Sequence, residues 1–346
     1  KNQICGRVTT NMDGKVEECV DFYQSITTLP DLPYSFRSGG CVFSKSSGRD
    51  RIYCIGGNGE GQVAEKKIQI YDFIDKAWTT NDIDVSGQGS RGRKYHSLIL
   101  IGNRIYVLFG VNHNDEPLNP ITPENHFYYD IDTNSFHSIG FVKRTDAPLI
   151  DDSAAYIRVA AAGLGLNGKA YVFGGANGFP GMGFEITKNT FIYDNTSQTW
   201  SRASSMNIAR GGHITLSDGR YIYTIGGVGS VGSTLEMLSS VEVFDSQNPN
   251  ESWINTFSLK VPRYLGMGGL INGSFYLIGG INFQDYVTVI EKMDHTNRTW
   301  KEIGTTDLLI FDGAYCSDGS NIYIIGGSDN EGNPKNTFYR YTPNEN

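Results

Sequence analysis

Five arginines stand at matched places in this chain. Arg93, Arg158, Arg210 and Arg263 each lie sixteen residues before the first position of a recurring Gly-Gly-type pair, and Arg37 joins them if its local turn is three residues longer. The sixth such place holds Ile310. A guanidinium presents planar, paired donors that match a carboxylate. Five of them around one axis would make a positive focus in a chain whose net charge is −8. Tyr95, Tyr264 and Phe311 lie close by in sequence and could supply apolar walls. The expected chemistry is recognition of an acidic group, with Arg37, Arg93, Arg158, Arg210, Arg263, Tyr95, Tyr264 and Phe311 as the ligand-binding set.

Other chemistry-bearing residues are weaker signals. His96 and His213 each follow an arginine by three residues, but no carboxylate at ligand spacing accompanies them. Asp115-Glu116 and Asp151-Asp152 could hold Ca²⁺ or act as acid and base, yet adjacent loop carboxylates are more often solvated. Asp329-Asn330-Glu331-Gly332-Asn333 resembles a calcium loop slightly and lacks its distal Glu and helical flanks. Neither a metal nor a cofactor is expected.

The five cysteines are Cys5, Cys19, Cys41, Cys54 and Cys316, so at least one has no partner within the chain. Cys41 and Cys54 are symmetric about Ser47-Gly48; this suits a cross-strand disulfide and two buried thiols equally. Cys5–Cys19 is the preferred pairing, closing a loop in an N-terminal tail. N-glycosylation sequons begin at Asn195, Asn250, Asn272 and Asn297, all in predicted tight turns of one face. With no initiator Met at Lys1, these features favour a secreted or extracellular protein over a cytoplasmic one.

The elements that position these residues are read from a repeat. An apolar strand with an internal Tyr ends in Gly-Gly: Ile52-Tyr53-Cys54-Ile55-Gly56-Gly57 is the first copy. The pairs end at 57, 110, 175, 227, 280 and 327, with Phe109 replacing the first Gly of the second copy. First-position spacings are 53, 65, 52, 53 and 47 residues. Gly102-Asn103, Asn167-Gly168, Asp218-Gly219, Asn272-Gly273 and Asp318-Gly319 precede the Gly-Gly strand and tolerate the positive φ of tight hairpins. A third strand carries an aromatic seven positions before a Trp, as in Tyr71 to Trp78 and Tyr193 to Trp200. The Trp opens a fourth strand.

Diglycine, Tyr and Trp at these spacings resemble the kelch repeat family, over about residues 23–346. The resemblance implies an all-β chain: a six-bladed β-propeller of four-stranded antiparallel blades. The sixth unit runs out of chain after Tyr341, so its outer strand is expected from residues 21–29. Residues 1–20 then form a tail, and 21–346 one propeller domain. In the family, Arg-x-x-His is part of the scaffold, and arginine at the matched place bonds neighbouring blade carbonyls; that structural role competes with the binding one. Galactose oxidase shares the repeat, but its copper site and extra domains have no counterpart here.

Three functional readings follow. The first is a non-catalytic scaffold that binds a protein or another acidic ligand on the Arg-lined face, where the long loops 111–125, 138–156 and 176–188 lie. The second is an enzyme or lectin acting on an acidic sugar, by similarity to six-bladed sialic acid mutarotases. The third is a structural component of an extracellular assembly. The acidic balance and absence of a Lys/Arg run argue against nucleic acid. No apolar run approaches the roughly 18 residues of a membrane span.

Overall fold

In the computed structural model, residues 25–59, 66–84, 92–112, 126–139, 159–177, 185–231, 234–283, 285–294 and 299–343 are described, with short strand pieces at 8–10, 16–19 and 119–120. They form six four-stranded antiparallel sheets. The first blade comprises Gly40–Ser44, Arg51–Ile55, Lys67–Asp72 and Ala77–Asp82. The second comprises Ser97–Ile101, Arg104–Leu108, Phe127–Asp130 and Ser135–Ser138. The third has Ala162–Leu166, Lys169–Phe173, Thr190–Asp194 and Thr199–Ala203. The fourth has Ile214–Ser217, Tyr221–Ile225, Val241–Asp245 and Ile254–Asn255. The fifth has Met267–Ile271, Ser274–Ile278, Val289–Asp294 and Thr299–Thr305. The sixth has Ala314–Ser317, Ile322–Ile325 and Phe338–Thr342, and its outer strand is Ser25–Leu29. Ser25 pairs with Thr342 and Leu29 with Phe338, so the two ends of the ring share one sheet.

The inner strands neighbour one another in a closed cycle, the sixth against the first. The apolar core is correspondingly divided into six wedges, each between two adjacent blades. The repeat residues fill them. Trp78 and Tyr71 of the first blade pack on Phe338 of the sixth, with ring centres 5.3 and 4.9 Å away. Trp253 of the fourth blade meets Phe173 of the third edge-on at 5.3 Å. Such rings bury large apolar area and interlock with a preferred geometry.

The diglycine is the joint between blades. A Cβ on Gly56 would sit 2.3 Å from the carbonyl oxygen of Arg93, and one on Gly174 would sit 2.2 Å from that of Arg210. Only a residue without a side chain allows that approach. The second glycine then donates to the same carbonyl: Gly57 to Arg93 at 2.7 Å, Gly175 to Arg210 at 2.8 Å, Gly227 to Arg263 at 2.8 Å and Gly327 to Phe36 at 2.7 Å.

A second set of bonds closes the ring. The backbone N–H of Tyr95 donates to Ser38 O at 2.7 Å, Ala160 to Tyr95 at 3.2 Å and Gly212 to Ala160 at 3.0 Å. Leu265 donates to Gly212 at 2.9 Å, Asp312 to Leu265 at 3.2 Å, and Ser38 back to Asp312 at 3.1 Å. Each blade contributes one residue to this collar, and each has φ between 52° and 58°.

Two expectations about turns and cysteines are refined. The hairpins at 102–103, 167–168 and 272–273 are two-residue turns. In blades four and six, Ser217 pairs with Ile222 and Ser317 with Ile322, so four residues intervene. There the Asp218 and Asp318 carboxylates accept the turn's own N–H groups. Cys41 and Cys54 form a disulfide with Cα atoms 4.2 Å apart, the close spacing of a non-hydrogen-bonded cross-strand pair. Cys316 is a free thiol in the same wedge. Cys5 lies outside the described residues, so the Cys5–Cys19 pairing does too; among the described residues Val8–Thr10 pairs with Val16–Cys19 in a two-stranded sheet.

Closure by Ser25–Leu29 yields a stability prediction. Deleting residues 1–30 leaves strand Phe338–Thr342 as an open edge. The truncated protein should melt at lower temperature and with less cooperativity by calorimetry, and should aggregate on heating. Melting identical to the full chain would refute closure as a source of stability.

Candidate functional site at the channel mouth

The inner strands enclose a channel of about 510 Å³, and all six collar residues line it. Its mouth lies where the chain enters the inner strands, the face predicted to carry the arginines. The observed positions separate those arginines into two groups.

Arg93, Arg210 and Arg263 are buried and turned into their own blades. The Arg210 guanidinium donates to Gly226 O at 2.9 Å, Ser240 O at 3.0 Å and Glu242 Oε1 at 2.6 Å. Arg263 donates to Gly279 O at 3.1 Å, Val289 O at 3.2 Å and Glu291 Oε1 at 2.7 Å. Arg93 donates to Phe109 O at 3.2 Å and stacks over Phe127. The structural role has won over ligand binding at all three. The reason is alternation: a strand residue faces the mouth or the interblade wedge, and these face the wedge. Arg158 lies outside the described residues.

Each buried pair is a clip between a blade and the link that enters it. Glu242 also accepts the N–H of Asn207 and Ile208, and Glu291 that of Lys260 and Val261. In the first blade Gln69 plays this part, accepting from Tyr34 N at 3.0 Å. Sequence reasoning missed these residues. The available signal is a Glu or Gln inside an apolar third strand, two positions before its aromatic or Met: Gln69 before Tyr71, Glu242 before Phe244, Glu291 before Met293.

Arg37 is not the fifth member of the arginine set. The carbonyl that meets the preceding diglycine belongs to Phe36. Arg37 bridges to Asn58 just as Lys94 bridges to Val111, Tyr264 to Ile281 and Phe311 to Ser328. The first inner hairpin runs from Ser44 to Arg51, four residues longer than a two-residue turn rather than three, and that shifts the match by one. Arg37 therefore belongs to the layer that rims the mouth and stays partly exposed, with Nη1 3.3 Å from Ser328 Oγ.

The mouth is chemically lopsided. Blades six, one and two supply Asp312, Arg37, Ser38, Lys94 and Tyr95, whereas the collar in blades three to five offers Ala160, Gly212 and Leu265. Ser38 Oγ donates to Asp312 Oδ2, and the Tyr95 hydroxyl lies within hydrogen-bonding reach of Ser38. Burial pushes the Asp312 carboxyl up to about 6, against the opposing pull of Ser38, Arg37 and Lys94. Burial, and then the Arg37 charge, bring the Lys94 ammonium down to about 8. Lys94 is 5% exposed, and its ammonium lies 5.7 Å from the centre of the Tyr95 ring. Tyr264 covers Gly212, and Phe311 packs against Tyr286 at 5.9 Å. The structure thus brings Arg37, Tyr95, Tyr264 and Phe311 to the mouth and adds Ser38, Lys94 and Asp312.

The remaining candidates fall elsewhere. His96 and His213 are buried wedges: a Cβ on Gly56 would approach the His96 ring to 2.9 Å, and one on Gly174 the His213 ring to 3.2 Å. Asp329 accepts N–H groups of Glu331 and Asn333 and pairs with Lys335 at 2.8 Å, so its carboxylate is spent within the loop. Asp115-Glu116 and Asp151-Asp152 lie outside the described residues, as do most of the three long loops. Asn195 and Asn250 occupy third-to-fourth-strand turns and Asn272 an inner hairpin turn; Asn297 lies outside the described residues.

Two predictions follow from the buried groups. Arg263→Ala leaves the Glu291 carboxylate buried without its cation and should destabilise the fold by about 3–5 kcal/mol in denaturant titration; a loss below about 1 kcal/mol would contradict the clip. Burial holds His96 and His126 down to about 3 and His213 well below its ordinary value. The unfolded chain takes up protons near pH 6.5 that these folded imidazoles refuse. Their contribution is complete above about pH 6.5 and is lost as pH falls towards 3. Asp312 acts oppositely, since its folded carboxyl keeps a proton to about pH 6. Three groups outweigh one, so the melting temperature should fall steadily from pH 7 to pH 4. A flat profile would contradict the neutral, buried imidazoles.

Comparison with known proteins agrees with the architecture. The kelch motif model matches residues 312–346. Alpha-scruin of Limulus polyphemus is 36% identical over 96 residues, covering 28% of this chain and 10% of that protein. Kelch-like protein 36 of Rattus norvegicus is 30% identical over 168 residues, 47% of this chain and 26% of the relative. The chain thus spans a tenth to about a quarter of the length of these curated relatives. Among solved structures, that of YjhT superposes with a TM-score of 0.71 at 20% identity, covering 90% of this chain and 95% of the other. With five diglycine joints and the Phe109-Gly110 variant, Tyr-Trp wedges and closure by Ser25–Leu29 in place, the chain belongs to the kelch repeat family.

Proposed function

We propose that the chain is a non-catalytic binding scaffold that receives an acidic group of a protein partner at the channel mouth, over Lys94 and Arg37. The observation that carries this reading is Lys94: an ammonium on a nearly buried residue, in no ion pair among the described residues, beside a second cation on the next blade. A desolvated charge of that kind gains most from an incoming carboxylate. Leu235, in the short strand Thr234–Met237, and the loop residues Phe283 and Leu309 are exposed in the connections of the same face, as an apolar surface for the rest of a partner.

A second reading, a small acidic molecule such as a sugar acid, is favoured by the convergence of Ser38, Tyr95 and Asp312 on the 510 Å³ channel. These groups could bond hydroxyls while the cations hold a carboxylate. Calorimetric titration with small sugar acids separates the two: millimolar or tighter binding of an isolated sugar acid favours the second.

The proposal is tested with the partner captured from the native source. Arg37→Ala with Lys94→Ala should weaken its binding at least about tenfold, while Arg220→Ala, on the opposite face, should not. Affinity should also fall as pH rises. Through about pH 6 Asp312 gains its negative charge, and through about pH 8 Lys94 loses its positive one. Asp312→Asn should remove the lower step only. Normal binding by the double variant would overturn the site.

A further inference from the structure

We infer that Asn195 is an N-glycosylation site whose first sugar is seated in a pocket between the second and third blades. The inference is independent of what binds at the channel mouth, because the pocket opens on the opposite face.

Asn195-Thr196-Ser197 forms the turn between strands Thr190–Asp194 and Thr199–Ala203. The turn is held in place: Asp194 accepts the N–H of Thr196 at 2.9 Å and of Ser197 at 3.1 Å, and Asn195 N donates to Gly168 O at 3.3 Å. The side chain is oriented from the neighbouring blade, where the Tyr106 hydroxyl donates to Asn195 Oδ1. That contact engages the amide oxygen and leaves the nitrogen, Nδ2, with no hydrogen bond among the described residues. A glycosylated amide keeps its oxygen, so the sugar and the Tyr106 contact are compatible.

The nitrogen's surroundings suit a sugar. Asn195 lines a pocket of about 540 Å³ together with Asn103, Arg104, Asp130, Asp132 and Asn167. Carboxylates, carboxamides and a guanidinium are the groups that bond sugar hydroxyls and an acetamido group. They are already arranged by one another, Asn103 Nδ2 on Asp132 at 2.8 Å and Arg104 Nε on Asp130 at 3.4 Å. Asn250 and Asn272 are exposed acceptors on the same face, but neither lines this pocket.

The chemistry requires a lipid-linked oligosaccharide diphosphate as donor. Nδ2 forms a bond to the anomeric carbon, the bond from that carbon to the diphosphate oxygen breaks, the lipid diphosphate leaves with the electron pair, and the amide gives one proton to a base of the transferase. Transfer takes place in an oxidising lumen, a setting consistent with the Cys41–Cys54 disulfide. It precedes folding, so the closed turn is no barrier, and the pocket then forms around the attached sugar.

Protein from native cells is digested with peptide N-glycosidase in heavy-oxygen water, and peptides are mapped by mass. Residue 195 should be recovered as labelled Asp; an unmodified Asn195 overturns the site. Seating is tested separately. An endoglycosidase that leaves one sugar is compared with an Asn195→Gln variant by hydrogen exchange at the 102–103 and 167–168 turns. The retained sugar should slow exchange there several-fold, and Asp130→Ala should abolish the difference. Equal exchange in trimmed and Asn195→Gln proteins overturns the seating.

Discussion

Six backbone hydrogen bonds, joined head to tail from Ser38 through Tyr95, Ala160, Gly212, Leu265 and Asp312 and back to Ser38, set the geometry on which the remaining interactions depend. Each requires a residue at positive φ, a conformation that costs an ordinary L-residue roughly 1–2 kcal/mol. Five of the six are not glycine. The strain is local and the gain is collective, since every member both donates to one blade and accepts from the next. The collar fixes how far apart the blades stand, and that distance decides whether a diglycine can meet the next carbonyl and whether a Trp can reach the blade before it.

The same constraint explains the division of labour among the cations. Two residues before the collar, the side chain faces the wedge, where Arg210 and Arg263 are useful only with buried carboxylates to receive them. One residue before it, the side chain rims the mouth, where Arg37 and Lys94 stand. A single step along the chain thus converts a structural guanidinium into a rim cation. Buried ion pairs of this kind contribute little net stability over a hydrophobic filling, but they are costly to break and fix one register of link against blade.

Much of the ring was legible in the sequence because its joints make local demands. Gly-Gly is required where backbones touch, and Tyr and Trp where a wedge needs volume. The side-chain directions of the arginines were not legible. Spacing places a residue along a strand, but a hairpin four residues longer instead of three moved Arg37 off the pattern and hid Phe36 on it. The collar was equally silent, because Ser, Tyr, Ala and Leu have no preference for the left-handed region, Asp merely tolerates it, and only the closed ring imposes it on all of them. Lys94 and Asp312 escaped notice for a related reason: each stands next to a residue that drew attention, and their proximity to one another exists only across blades.

The pairing of Ser25–Leu29 with Phe338–Thr342 has a consequence for biosynthesis. Among the blade strands of the ring, the first of these leaves the ribosome before all the others and its partner after them. Until the sixth blade emerges, the collar lacks its bond between Ser38 and Asp312, and the nascent ring is an open arc with two bare ends. An open solenoid gains stability with every unit added. This ring gains its final interfaces in one step, so vectorial synthesis delivers a chain that must be shielded from self-association until the moment it closes.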